Sequence, residues 1–345
     1  MEHHPSFIRN SKSCMSPRAR SPSKNYKELP MNSQTQTYHV GIDVSKDKLD
    51  VFHPAWERPR CFANTPRAIR DLLAAVAAAG GPCQLVAEAT GGYEKQLVQA
   101  AAKAEVPISI VNPRQVRDYA RAAGVLAKTD EIDARTLADY GRLFEPTPTE
   151  PLTASQQSLR AAVRRRESLI GQRTREKDQL GKDHDALVRR DLKSSIAALD
   201  RRIAKWDAHI ATLIASDSEM TAKKDRLEQI KGVGAVASST LLAEFPELGR
   251  LGDRQAAALA GLAPYNCDSG RWHGLRSIRG GRGRIRRALY MPALCAVRHN
   301  PVLREFYQRL RAKNKPHKVA LTAAMRKMVC VLNRMLADPH FQPAS

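Results

Sequence analysis

The chain has 345 residues, 42% of them hydrophobic, which is enough for a real core and for two domains or one domain with a large insertion. Its 57 Lys and Arg outnumber 35 Asp and Glu to give +22, and 23 basic against 8 acidic residues fall within 221–345, so the basic surface belongs chiefly to the C-terminal third. A local excess of this size favours nucleic acid through counterion release, while the longest apolar run, Leu72–Ala79, excludes a membrane span and six scattered cysteines without a CxxC exclude a disulfide framework or zinc finger.

Residues 1–37 carry seven serines and four prolines without apolar periodicity and are expected to be a disordered basic tail, with Met31 as an alternative start. From Tyr38 short strands are predicted over Tyr38–Val44, Leu49–Phe52 and Arg60–Ala63, the first two separated by the polar turn Ser45-Lys46-Asp47-Lys48. Next come a helix over Pro66–Ala79, a strand over Gln84–Ala87, a helix over Tyr93–Ala104, a strand over Ile108–Val111, and helices after Pro113 and Thr129. This order describes a ribonuclease-H-like α/β domain over 38–151, although other α/β folds share it. Residues 152–220 read as a long helical hairpin turning near Arg189–Asp191. Leu192, Ile196, Leu199, Ile203, Trp206, Ile210 and Leu213 form its coiled-coil seam, or else the core of a plain helical subdomain. Residues 221–345 form a third, mainly helical region. It opens on Ile230-Lys231-Gly232-Val233-Gly234 before a helix from Val236 to Glu244, a pattern suited to a helix-hairpin-helix in which Gly232 and Gly234 expose backbone N–H groups to a phosphate, or to a tight turn that merely packs. The basic Lys313–Lys318 stretch precedes a structural helix over Val319–Leu336.

Four carboxylates stand out. Asp43 interrupts the apolar strand Val40-Gly41-Ile42-Asp43-Val44, where a carboxylate is costly unless a cation compensates it. Glu88 ends Leu85-Val86-Ala87 ahead of Thr90-Gly91-Gly92, and Asp130 and Asp133 lie one helical turn apart. Together these hard oxygen donors can converge on one or two Mg²⁺ ions of the kind that serve phosphodiester chemistry. Taken singly, Asp130 also reads as a cap, Asp133 as a solvated helix residue and Glu88 as a strand-end turn former.

Ser269 heads a strip of seven arginines with no acid among them: Arg271, Arg276, Arg279, Arg282, Arg284, Arg286 and Arg287. Their guanidinium forks can neutralise phosphate oxygens, and a serine hydroxyl attacking phosphorus needs that neutralisation. Unaided, Ser269 reads first as an ordinary turn serine.

These motifs resemble the transposases of insertion-sequence family one-ten, which also includes the Piv-type pilin-gene invertases. The resemblance runs from Tyr38 to Ala337. It rests on Gly41-Ile42-Asp43-Val44-Ser45-Lys46, Glu88 through Glu94, Lys128 through Ala134, the Ile230–Gly234 turn, and Gly261-Leu262-Ala263-Pro264 through Asp268-Ser269-Gly270. It implies a RuvC-like domain whose DEDD set is Asp43, Glu88, Asp130 and Asp133, a coiled-coil region, and a C-terminal transposase domain whose nucleophile is Ser269. It also implies recombination of double-stranded DNA through a covalent serine-DNA intermediate with Mg²⁺ assistance and a Holliday junction. A structured non-coding bridge RNA would guide the reaction, a dimer of dimers would assemble, and the location would be the bacterial cytosol. Two other readings fit the residues: a RuvC-like junction nuclease that uses the acids and water with no covalent step, and a nucleic-acid-binding protein that catalyses nothing.

Overall fold

The computed structural model describes residues 37–127, 129–270 and 272–343, so the expected tail, Lys128 and Arg271 lie outside the described residues. The chain divides after Pro151 into two compact units.

The first unit is a five-stranded sheet with helices on both faces. Its strands are β1 (Tyr38–Val44), β2 (Lys48–Phe52), β3 (Arg60–Ala63), β4 (Cys83–Glu88) and β5 (Ile108–Val111), in the order β3-β2-β1-β4-β5. β1, β2 and β3 pair antiparallel as a meander, whereas β4 and β5 run parallel to β1. The helices are α1 (Pro66–Ala78), α2 (Lys95–Lys103), α3 (Pro113–Ala122) and α4 (Asp130–Phe144). Strand alternation decides which residue meets which helix. Val40, Ile42, Val44, Leu49, Val51, Leu85 and Ala87 form one core with Leu72 of α1 and Leu97 of α2. On the opposite face Val86 and Val111 pack with Val116 of α3 and with Leu137 and Tyr140 of α4.

Gly41 sets how closely α4 approaches. A Cβ there would overlap the Ala134 carbonyl oxygen, so any side chain would push the helix off β1. Thr129, not Asp130, caps α4: its hydroxyl accepts from the Ile132 amide at 3.3 Å. Asp130, Glu131 and Asp133 then occupy the first turn, where the positive end of the helix dipole favours them.

The second unit is mainly helical. α5 (Ala154–Leu180) and α6 (Ala186–Ala215) form an antiparallel pair in which Leu169, Leu199 and Ile203 pack together. The chain reverses at 181–185, earlier than the Arg189–Asp191 turn expected from sequence. The reason is local: Asp185 caps α6 by accepting from the amides of Leu187 and Val188, both at 2.9 Å. The open end of the pair shares a core with α7 (Ser218–Glu228) and α8 (Ala235–Glu244), through Leu159, Val163, Ile214, Met220 and Ala243. A larger core joins α7 and α8 to α9 (Asp253–Leu259), α10 (Gly283–His299), α11 (Pro301–Ala312) and α12 (His317–Ala337). Phe245, Leu289, Leu303, Met328 and Leu332 are among its buried residues. Between α9 and α10 lie four two-residue strands, β6 (Pro264–Tyr265), β7 (Asp268–Ser269), β8 (Trp272–His273) and β9 (Ser277–Ile278), with β6 paired to β9 and β7 to β8. Among the described residues no helix is long and apolar enough to cross a membrane.

Candidate active site

The period of two in β1 puts Asp43 on the same face as Gly41, and that face is the one α4 covers. In β4 the same rule aligns Glu88 with Val86, which packs under α4. β1 and β4 are in parallel register at Ile42 and Ala87, so Asp43 and Glu88 occupy the next step, at the C-terminal ends of neighbouring strands. Asp130 and Asp133 open the helix whose Ala134 lies on Gly41. All four predicted carboxylates therefore belong to one face of the sheet. Among the described residues, no group of three or more His, Cys, Asp or Glu side chains has the spacing to hold a metal ion.

A lysine and a fifth acid share this face, and sequence reasoning passed over both. Asp50 is opposite Asp43 across the antiparallel β1–β2 pair and is 9% exposed. Lys48, two residues earlier on the same face of β2, places its Nζ 2.5 Å from Asp130 Oδ2 and 3.1 Å from Asp50 Oδ2. The hydrogen bonds to Asp130 and then Asp50 hold the ammonium protonated well above the ordinary lysine range. One cation thus bridges β2 and the start of α4. The pattern Lys-x-Asp on the strand facing the acids was the available signal, but Lys48 read as a turn residue and Asp50 as an ordinary strand position.

Two further side chains shape the loops at this end of the sheet. Glu94 Oε2 accepts from Thr90 Oγ1 at 2.6 Å, Gly92 N at 2.8 Å and Thr90 N at 3.2 Å, which folds the glycine turn that follows Glu88. Burial works to raise the Glu94 pKa, but these hydrogen bonds outweigh it and hold the carboxyl below its ordinary value. Asn64 Nδ2 donates to the carbonyls of Ser45 at 2.8 Å and Tyr93 at 3.2 Å, tying the loops after β1 and β4 together.

In the second unit Ser269 lies on an exposed inner hairpin, paired directly with Trp272. Gly270 adopts φ +55° at the turn, a conformation glycine takes without strain. The Gly274 amide closes the hairpin by donating to Cys267 O at 3.1 Å and to Asp268 Oδ1 at 3.2 Å.

The arginine strip divides in two. Arg282 donates to both carboxylate oxygens of Glu247, at 2.7 and 2.6 Å, and to the Glu244 carbonyl at 3.0 Å. Arg284 and Arg287 both reach Glu167 of α5, and Arg286 Nη1 donates to the Gly261 and Gly280 carbonyls at 3.1 and 3.3 Å. These four fasten α10 to its surroundings, while Arg276 and Arg279 are exposed beside the hairpin. The nearly buried Glu244 gathers further arginines: Arg164 forks onto it at 2.6 and 2.9 Å and Arg160 lies at 3.6 Å. At the predicted phosphate turn, Gly232 has φ +105° and presses on the Pro292 carbonyl, where a Cβ would come within 2.5 Å. Gly234 caps α8 with open space around it.

Two family models match the chain. One, described as Transposase and defined by the DEDD domain of IS110 elements, matches residues 40–184; the other, described as Transposase IS116/IS110/IS902 family, matches residues 224–308. Pilin gene-inverting proteins of Moraxella bovis and Moraxella lacunata are each 29% identical over 311 residues, covering 86% of this chain and 94% of theirs. A protein of insertion element IS110 from Streptomyces coelicolor is 32% identical over 157 residues, covering 44% of this chain and 36% of its own. The DEDD model spans all four carboxylates and the second model spans Ser269. The chain belongs to the IS110 family of transposases and is a DNA recombinase.

Proposed function

We propose that this transposase cuts and rejoins double-stranded DNA through a covalent link to Ser269, with Asp43, Glu88, Asp130 and Asp133 drawing closer than their present spacing to hold Mg²⁺. The observation that carries this reading is the placement of all four acids on the α4-covered face of one sheet, in a chain whose other unit presents a serine on an exposed hairpin beside arginines. The donor set is all carboxylate oxygen, which suits a hard divalent cation, and the match to a DEDD transposase domain supports a divalent metal ion in general. When bound, the ion supplies charge stabilisation at the reacting phosphate.

The chain's own part is as follows. Ser269 Oγ forms a bond to phosphorus while the bond from phosphorus to a deoxyribose oxygen breaks. The hydroxyl proton leaves Oγ, and the departing sugar oxygen ends protonated. Attack by a different strand's hydroxyl reverses these bonds and joins the new partner. Arg276 and Arg279 offset phosphate charge beside the hairpin. The first unit is a ribonuclease-H-like domain on this reading. Gly232 and Gly234 serve as a helix-hairpin-helix phosphate contact, and the α5–α6 pair is a coiled coil through which copies assemble as a dimer of dimers. A structured non-coding RNA supplies target choice, and the reaction takes place in the cytosol.

The test is cleavage of a donor duplex by purified protein with Mg²⁺ and RNA transcribed from the element's flanking end, comparing wild type, Ser269→Ala and Asp43→Asn. Protein-linked DNA that needs Ser269, Asp43, RNA and Mg²⁺ together is the expected result. Cleavage without linkage, unchanged in Ser269→Ala, overturns the nucleophile and leaves a metal-dependent nuclease.

A further inference from the structure

We propose that the Trp272 indole is a stacking platform for an unpaired nucleobase next to the phosphate that Ser269 engages; the placement beside the chemistry rests on the reading of Ser269 as nucleophile. Ser269 and Trp272 are directly opposed in the β7–β8 pair, and directly opposed residues of an antiparallel pair project from the same face. The two side chains therefore leave the hairpin side by side. Gly274, two residues beyond Trp272, explains how the ring lies. A Cβ at Gly274 would come within 2.5 Å of Trp272 Cη2 and 2.6 Å of Cζ3, so the outer edge of the six-membered ring occupies the place where a side chain would stand. The ring's edge is thus held against the hairpin, while the residue remains 60% exposed.

A large rigid ring left half open beside a nucleophile is costly in water unless something covers it. The surroundings select the occupant. Arg276 and Arg279 are exposed within the same segment, and the 221–345 region carries 23 basic against 8 acidic residues, a setting for phosphate rather than for an apolar protein face. Bases inside a duplex are stacked on one another, so an indole can take only a base that has left its pair. Strand exchange produces such bases. Stacking on an aromatic ring tolerates any sequence, which fits a residue that holds the strand in place rather than reading it.

The test measures binding of a short oligothymidylate to the full chain by tryptophan fluorescence and by affinity, at a salt concentration that damps the phosphate contribution. Wild type, Trp272→Phe and Trp272→Leu are compared, with a thermal melt of each. Trp56 and Trp206 are packed against cores, so quenching on binding reports chiefly on Trp272. Wild type is expected to quench on binding. Trp272→Leu is expected to bind about tenfold more weakly, and Trp272→Phe to stay within about threefold of wild type because a phenyl ring still stacks. Unquenched wild-type fluorescence, or Leu and Phe variants of equal affinity at equal melting temperature, overturns the proposal. If this pattern is seen while no protein-DNA link forms at Ser269, the stacking stands and the nucleophile falls.

Discussion

Lys48 Nζ lies 2.5 Å from Asp130 Oδ2, so a β2 side chain clasps the first residue of α4 across the face that carries Asp43. This ammonium pairs with Asp130, one of the four acids proposed to hold Mg²⁺, and with Asp50. Replacing it as Lys48→Met is expected to lower the melting temperature in EDTA, because Asp50 and Asp130 then lose the counter-charge they share. The rise in melting temperature on adding Mg²⁺ should be larger than in wild type, since the ion no longer competes with a resident cation. Melts with and without Mg²⁺ check both directions.

Gly41→Ala tests the close approach of α4. The added methyl meets backbone atoms of Ala134 and Ala138, which cannot rotate away as a side chain tip can. The expected cost is at least about 3 kcal/mol, the upper part of the range for overpacked cores. Urea denaturation should show a lowered midpoint with little change in slope.

The two kinds of arginine should separate experimentally. Arg282→Ala breaks a forked bond to Glu247 and is expected to lose about 2 kcal/mol of stability in the second unit. Arg276→Ala and Arg279→Ala should leave melting unchanged and each reduce the salt slope of DNA binding by about one. Titrations at several salt concentrations, beside thermal melts, resolve the two classes.

Glu94 gives a pH dependence with a defined sign. Its folded pKa is lower than the ordinary 4.5, so its ionised form stabilises the 90–94 turn fully above that value. The contribution disappears as pH falls through the lowered pKa. Amide hydrogen exchange at Thr90 and Gly92 should therefore accelerate in acid relative to the rest of β4 and α2, and Glu94→Gln should remove that difference between pH 7 and the acid side.

Much of the first unit was legible because a carboxylate in an apolar strand breaks a period-two pattern visibly. Asp43 and Glu88 announce themselves in that way, and Thr129 with Asp130 announces a helix start. β1, β3 and β5 have the boundaries expected, and α1, α2, α8 and α12 differ from expectation by a residue or two at their ends. The hairpin around Ser269 was not foreseen, because two-residue strands are too short to show any period. The division of the arginine strip was hidden for a different reason: Glu247 and Glu167 lie 35 and 120 residues from Arg282 and Arg287, and no local pattern links them. Asp50 was overlooked because its importance comes from register, through the β1–β2 pairing that sets it opposite Asp43.

The carboxylates are supplied in chain order by β1, β4 and the start of α4, so 86 residues separate the first acid from Asp130. A nascent chain that has emerged only as far as β5 already owns a paired sheet but lacks half of its acids. Until residues 130–144 follow, Gly41 and Val86, which α4 covers in the finished unit, face water rather than a helix.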